Sequence, residues 1–194
     1  SSCVNSIQFF ATNFAHLKHL EYLIKSFEQH DLSQYVCFAP VRYIAIDTLS
    51  CKTESTQAIQ CKEQNWQRLA DGIHTRFVGL LLPKGGANVH LGALYIDRHD
   101  SIDVFSHEIS HLLGFVDEYP LAEGHAKCAN VQQQAFSENV AVLAKHYQGS
   151  RKAVRTKVLQ QLAWGEKIKT TTPILQPLKE HILLAAKRWK LGTP

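Results

Sequence analysis

No apolar run in this chain approaches the roughly 20 residues that a membrane-spanning helix requires; stretches such as Val78 to Leu82 and Ile182 to Ala186 fall far short. A spanning helix is therefore not expected. Methionine is absent altogether, and the chain opens on Ser1-Ser2-Cys3, as expected if an N-terminal segment has been removed. The five cysteines contain no Cys-x-x-Cys pair, which argues against a cysteine-built zinc site. No repeat or low-complexity tract interrupts the 194 residues, a length that suits one domain or one domain split by a cleft. The net charge of +4 is mild. Basic residues are scattered apart from Arg151, Lys152, Arg155 and Lys157, which read as a solvated helix face, so no nucleic-acid partner is expected.

The odd number of cysteines counts against full pairing, but an oxidising compartment would allow some of them to pair. There Cys51 and Cys61 can clip the polar loop between them, while Cys3, Cys37 and Cys128 leave one thiol over. The expected location is accordingly secreted or periplasmic.

Hydrophobic spacing gives the element order. Phe14, Leu17, Leu20, Ile24 and Phe27 recur at three- and four-residue steps and predict an amphipathic helix packed on a sheet, with His16, His19 and His30 as surface histidines. The β-branched and aromatic run Val41 to Thr48 predicts a central strand. A polar loop follows, then a short helix over Asn65 to Ala70 stopped at Gly72, a strand over Phe77 to Leu82, and a third strand over Val89 to Asp97. Ile102, Phe105, Ile109, Leu112 and Leu113 form the apolar face of a further helix, whose start Asp100 or Ser101 can cap and whose dipole Asp103 suits. Beyond the loop from Pro120 to Asn130, helical spacing returns around Phe136 to Tyr147, Val154 to Leu162 and Leu178 to Trp189.

Chemistry concentrates on the helix that begins near Ser101. His107-Glu108-Ile109-Ser110-His111 places two imidazoles at i and i+4, one turn apart on one face, where both can reach a single zinc ion. Glu108 lies beside a ligand without being one, the position of a general base. A catalytic zinc usually takes three protein ligands, and three residues compete for the third place. Asp117 follows Gly114 by three residues, and a glycine that ends the helix lets the chain double back. Glu138 stands in Ser137-Glu138-Asn139-Val140, which reads as a later helix start, and His125 lies in the intervening loop.

The run His107-Glu108-x-x-His111-x-x-Gly114-x-x-Asp117 resembles the metzincin zinc-binding signature in its variant with aspartate as third ligand, as in snapalysin-like peptidases. The resemblance covers about a dozen residues and implies zinc ligands His107, His111 and Asp117 with Glu108 as base. The methionine-bearing turn of that family has no methionine to match it here. Glu138 as ligand would instead be similar to the thermolysin arrangement. The resemblance also implies an α+β, zincin-like fold: a small mixed twisted sheet with an N-terminal helix and the active-site helix over 1–118, and a mainly helical part over 119–194 across the cleft. In that family the strand before the helix pairs with substrate backbone, which points to Gly92, Ala93, Leu94 and Tyr95. Glu118 is then a candidate to orient a ligand histidine, and Tyr119 or Tyr147 to stabilise an oxyanion. The expected function is zinc-dependent endopeptidase action on a peptide or protein substrate. The alternatives are a zinc amidase acting on a cell-wall substrate and a metal-binding protein without turnover.

Overall fold

The strand at the middle of the sheet has no alternating pattern in the sequence. β1 (Ser6–Ala11) buries Ile7, Phe9, Phe10 and Ala11 on both of its faces, so the two-residue period that marks a half-exposed strand is missing. The computed structural model describes residues 3–53, 57–117, 139, 149–162, 165–172, 176–177 and 182–183. The chain divides into two compact units, the first reaching Leu113 and the second beginning at Gly114.

The first unit is a mixed α+β layer structure. Its six-stranded sheet has the order β2 (Cys37–Phe38), β1, β4 (Phe77–Leu82), β6 (Ala93–Asp97), β5 (Asn88–His90), with β3 (Arg42–Tyr43) also pairing β1. All pairings are parallel except that of β5 with β6. Gly79 lies opposite Phe9 in the β1–β4 register. A Cβ there would stand 2.1 Å from the Phe9 ring, so only glycine lets that ring lie over the neighbouring strand.

One sheet face carries α1 (Phe14–Phe27) and α3 (Ile102–Leu112), joined through an aromatic cluster. The Phe105 ring lies 5.3 Å from Phe9, 5.9 Å from Phe27 and 6.3 Å from Phe38, within the range in which tilted and edge contacts add to simple burial. The opposite face buries Phe10, Ile44, Leu49, Ile59, Leu80, Leu82 and Tyr95 under the 44–73 segment, which contains α2 (Gln64–Gln67). Disulfides Cys3–Cys37 and Cys51–Cys61 tie β1's entry to β2 and close the polar loop. The second of these is the clip the spacing suggests.

Four expectations need correction. The run from Val41 to Thr48 is not a central strand: only Arg42–Tyr43 pairs, at the sheet edge and exposed, and a 3-10 turn follows at Ile46–Thr48. Pro40 lacks an N–H and interrupts this edge, where the Gln8 side-chain amide donates to the Pro40 carbonyl at 2.7 Å instead. The stretch Val89 to Asp97 is a hairpin, not one strand, because Leu91 and Gly92 both take positive φ (48° and 81°) and turn β5 into β6. His16 is buried, not on the surface. Within the apolar run from Leu178 to Trp189, β8 (Ile182–Leu183) pairs antiparallel with β7 (Gln176–Pro177), so that part is not helix.

The other predicted helix of this region, Phe136 to Tyr147, lies outside the described residues apart from Asn139. The helix around Val154 is present as α4 (Arg151–Gln161), with Val154 and Val158 buried. Arg155 of its basic cluster donates to the carbonyls of Thr172 at 2.6 Å and Lys169 at 2.9 Å, a structural use of that charge. Among the described residues no helix is long and apolar enough to cross a membrane.

Phe105→Ala removes the ring that joins α3 to the sheet and α1. Urea unfolding is expected to show a loss of about 3–5 kcal/mol; a loss below about 1 kcal/mol would mean that the cluster does not hold the helix.

Candidate metal centre

The turn before α3 is built from carboxylates bonded to backbone. Asp97 Oδ1 accepts from His99 N–H at 2.7 Å and its Oδ2 from Gly85 N–H at 3.0 Å, while Asp100 Oδ2 accepts from Asp97 N–H at 2.7 Å. Ser101 is the helix cap, its hydroxyl accepting from Val104 N–H at 3.5 Å. Asp100, the other candidate cap, serves the turn. Burial holds the Asp100 carboxyl above the usual range against the lowering bond from Asp97 N–H. Across from this turn, His19 Nε2 meets the Asp100 carbonyl at 3.3 Å. Burial, reinforced by Arg98, His19 and His99, keeps the His16 imidazole toward its neutral form.

The amphipathic period of α3 then sorts its side chains. Phe105, Ile109 and Leu112 face the core, and His107 and His111 emerge together on another face, His107 exposed and His111 half-buried. Their Nε2 atoms stand 3.0 Å apart, with ring centroids at 4.6 Å and planes at 85°. Two nitrogens on one tetrahedral zinc at about 2.0–2.1 Å each are separated by about 3.3 Å, so the observed pair is close to that spacing without rearrangement of the helix. Glu108 is buried, and one of its carboxylate oxygens lies with the two imidazoles in a group whose ligand atoms are all within 4.8 Å of one another. The donor set of two imidazoles and a neighbouring carboxylate is one that can hold a divalent metal ion. His107, Glu108 and His111 are thus brought together as the spacing predicts.

α3 ends where the sequence places its end. Leu113 is the last residue before Gly114, which takes φ +94°, and a Cβ at Gly114 would meet nothing within 4 Å. The need for glycine there is one of backbone conformation alone. Asp117 is half-buried and belongs to the second unit. The candidates Glu138, His125, Glu118, Tyr119 and Tyr147 lie outside the described residues.

The expected substrate strand is corrected by the sheet. Gly92 is a turn residue, and Ala93, Leu94 and Tyr95 are buried in β6, which has β4 on one side and β5 on the other. Tyr95 is a core residue whose hydroxyl accepts from Trp66 Nε1 at 3.3 Å, and burial pushes its pKa up. Among the described residues the unpaired strand edge next to β6 belongs to β5. The hairpin was hidden because Leu91 is an unusual residue at positive φ, and leucine carries no turn signal. No family model, curated protein or solved structure matches this chain.

Gly114→Ala is expected to cost about 1–2 kcal/mol through backbone strain, and Gly114→Asn less, as measured by chemical unfolding; equal stability of the alanine variant would show that the left-handed bend is not required. Asp100 gives a pH test. A raised folded pKa means that the folded state holds the proton more tightly, so this group's contribution falls as pH rises above its ordinary value of 3.8 and stays lost at neutral pH. Asp100→Asn keeps an acceptor for Asp97 N–H and should equal or exceed the wild type in stability at neutral pH, with that advantage vanishing in acid. A variant less stable at neutral pH and no better in acid would contradict this.

Proposed function

We propose that this chain is a zinc-dependent metalloendopeptidase of zincin type, with His107, His111 and Asp117 as ligands and Glu108 as general base. The observation that carries the reading is the approach of the two Nε2 atoms to 3.0 Å on α3, with the Glu108 carboxylate in the same group. Asp117 enters through the signature spacing, supported by the left-handed Gly114 that closes the helix three residues earlier. The mixed sheet, with the single antiparallel strand β5 at its edge and β6 leading into the active-site helix, is compatible with a zincin fold. Two disulfides favour an exported protein.

When bound, the ion supplies Lewis-acid chemistry, acidifying water and polarising a carbonyl. The chain's own residues supply the rest. Glu108, buried and carried by a helix that cannot shift without unpacking Phe105, takes a proton from the attacking water at a carboxylate oxygen and returns it to the leaving amine nitrogen. The new C–O bond forms first, and the peptide C–N bond then breaks as the amine leaves with the proton that Glu108 returns, so no covalent enzyme intermediate is needed. Substrate backbone adds in extended form along β5, the edge strand of the sheet among the described residues. His90 on that strand pairs with Glu63.

Glu108→Gln keeps the shape of the side chain and removes the base. Zinc content should match the wild type while chelator-sensitive cleavage of unfolded casein falls about 10²–10⁴-fold. Undiminished cleavage by this variant would remove Glu108 from the mechanism, and absence of casein cleavage by the zinc-loaded wild type would favour a non-protein amide or a site without turnover.

A further inference from the structure

The segment that leaves α3 has no regular secondary structure from Phe115 to Asp117, yet one of its residues is held at both ends. Val116 N–H donates to Asn139 Oδ1 at 3.0 Å, and Asn139 Nδ2 donates to the Val116 carbonyl at 2.7 Å. Both bonds are half-buried, and they span 23 residues within the second unit. A carboxamide presents a donor and an acceptor side by side, as a neighbouring strand would. Asn139 therefore gives Val116 the two partners that a sheet would otherwise provide.

The position of these bonds matters more than their number. The Val116 N–H belongs to the peptide plane joining Phe115 to Val116, and the Val116 carbonyl to the plane joining Val116 to Asp117. With both planes fixed, the backbone that enters Asp117 is fixed, and with it the direction from which its side chain starts. The glycine two residues before Val116 makes this necessary, because a chain released through Gly114 has unusual backbone freedom.

We propose that Asn139 is a positioning residue for Asp117, preorganising that carboxylate to take a divalent metal ion. The inference rests on the reading of Asp117 as a zinc ligand given above. Nothing in the local sequence marks Asn139 for this role, since Ser137-Glu138-Asn139-Val140 reads only as a helix start with Glu138 as its notable residue. Groups that orient a metal ligand without touching the ion typically change metal affinity 10–100-fold when removed.

The test is a double-mutant cycle on the full 194-residue chain, with zinc itself as probe and its dissociation constant read by competition with a chromophoric chelator. Asn139→Ala should weaken zinc binding about 10–100-fold. The isosteric Asn139→Asp, which fills the same space but turns an acceptor toward the Val116 carbonyl, should weaken it as well. Once Asp117 is gone there is nothing left to position, so Asp117→Ala/Asn139→Ala should bind zinc no more weakly than Asp117→Ala alone. Unfolding of the metal-free proteins, followed in parallel, separates this from general destabilisation, which would not give that non-additivity. Unchanged zinc affinity in a folded Asn139→Asp chain, or losses that multiply in the double variant, would overturn the proposal while leaving Asp117 as ligand. Full zinc affinity in Asp117→Ala would overturn the ligand assignment, and the proposal with it.

Discussion

One helix has to satisfy two demands at once, and the 3.6-residue period of α3 meets both. Its apolar residues must be buried deeply enough to fix it on the sheet, while two imidazoles a turn apart must remain together and accessible. Phe105, Ile109 and Leu112 meet the first demand, and His107 and His111 meet the second. Glu108 lies between them in sequence and is buried. A carboxylate in that position requires compensating partners. The aromatic cluster around Phe105 makes the arrangement rigid, because α3 is locked to both β1 and α1 through ring contacts.

The sheet around this helix manages its edges differently on its two sides. At β1, the outer edge is covered by two short strands with Pro40 between them and the Gln8 side chain bonded to the gap, a construction that discourages pairing with other chains. At the other side β5 is short, antiparallel and free of a further strand among the described residues. Just before β5, Gly86 is bonded to the backbone of Gln57 and Ile59, so that edge is partly covered as well.

Much of this was legible in the sequence where local chemistry and tertiary structure agree. The extent of α1 from Phe14 to Phe27, though not its buried face, since Phe14 is exposed and His16 and Leu23 are buried, the strand Phe77 to Leu82, the Cys51–Cys61 clip, a cap at Asp100 or Ser101 and the glycine stop at Gly114 each follow from spacing or from one residue's conformational preference. What could not be read depended on partners distant in sequence. β1 is apolar on both faces because helices cover one side and the 44–73 segment the other, and such a run has no period to detect. The Leu91–Gly92 turn rests on a leucine in a conformation that the residue rarely adopts, imposed by the β5–β6 pairing. Val41 to Thr48 has the composition of a strand but meets a sheet with only a short edge to offer. The two histidines and the glutamate were visible as a motif, whereas the Asn139 bonds to Val116 join positions with no local pattern in common.

The central claim is that one zinc ion is held by two imidazoles of α3 and an aspartate carboxylate. Zinc-edge X-ray absorption on the chain loaded with one equivalent tests it most directly. The account predicts a four-coordinate shell of nitrogen and oxygen at about 2.0–2.1 Å with the scattering signature of two imidazoles and no sulfur. A sulfur shell near about 2.3 Å, or an all-oxygen shell without imidazole, would contradict it.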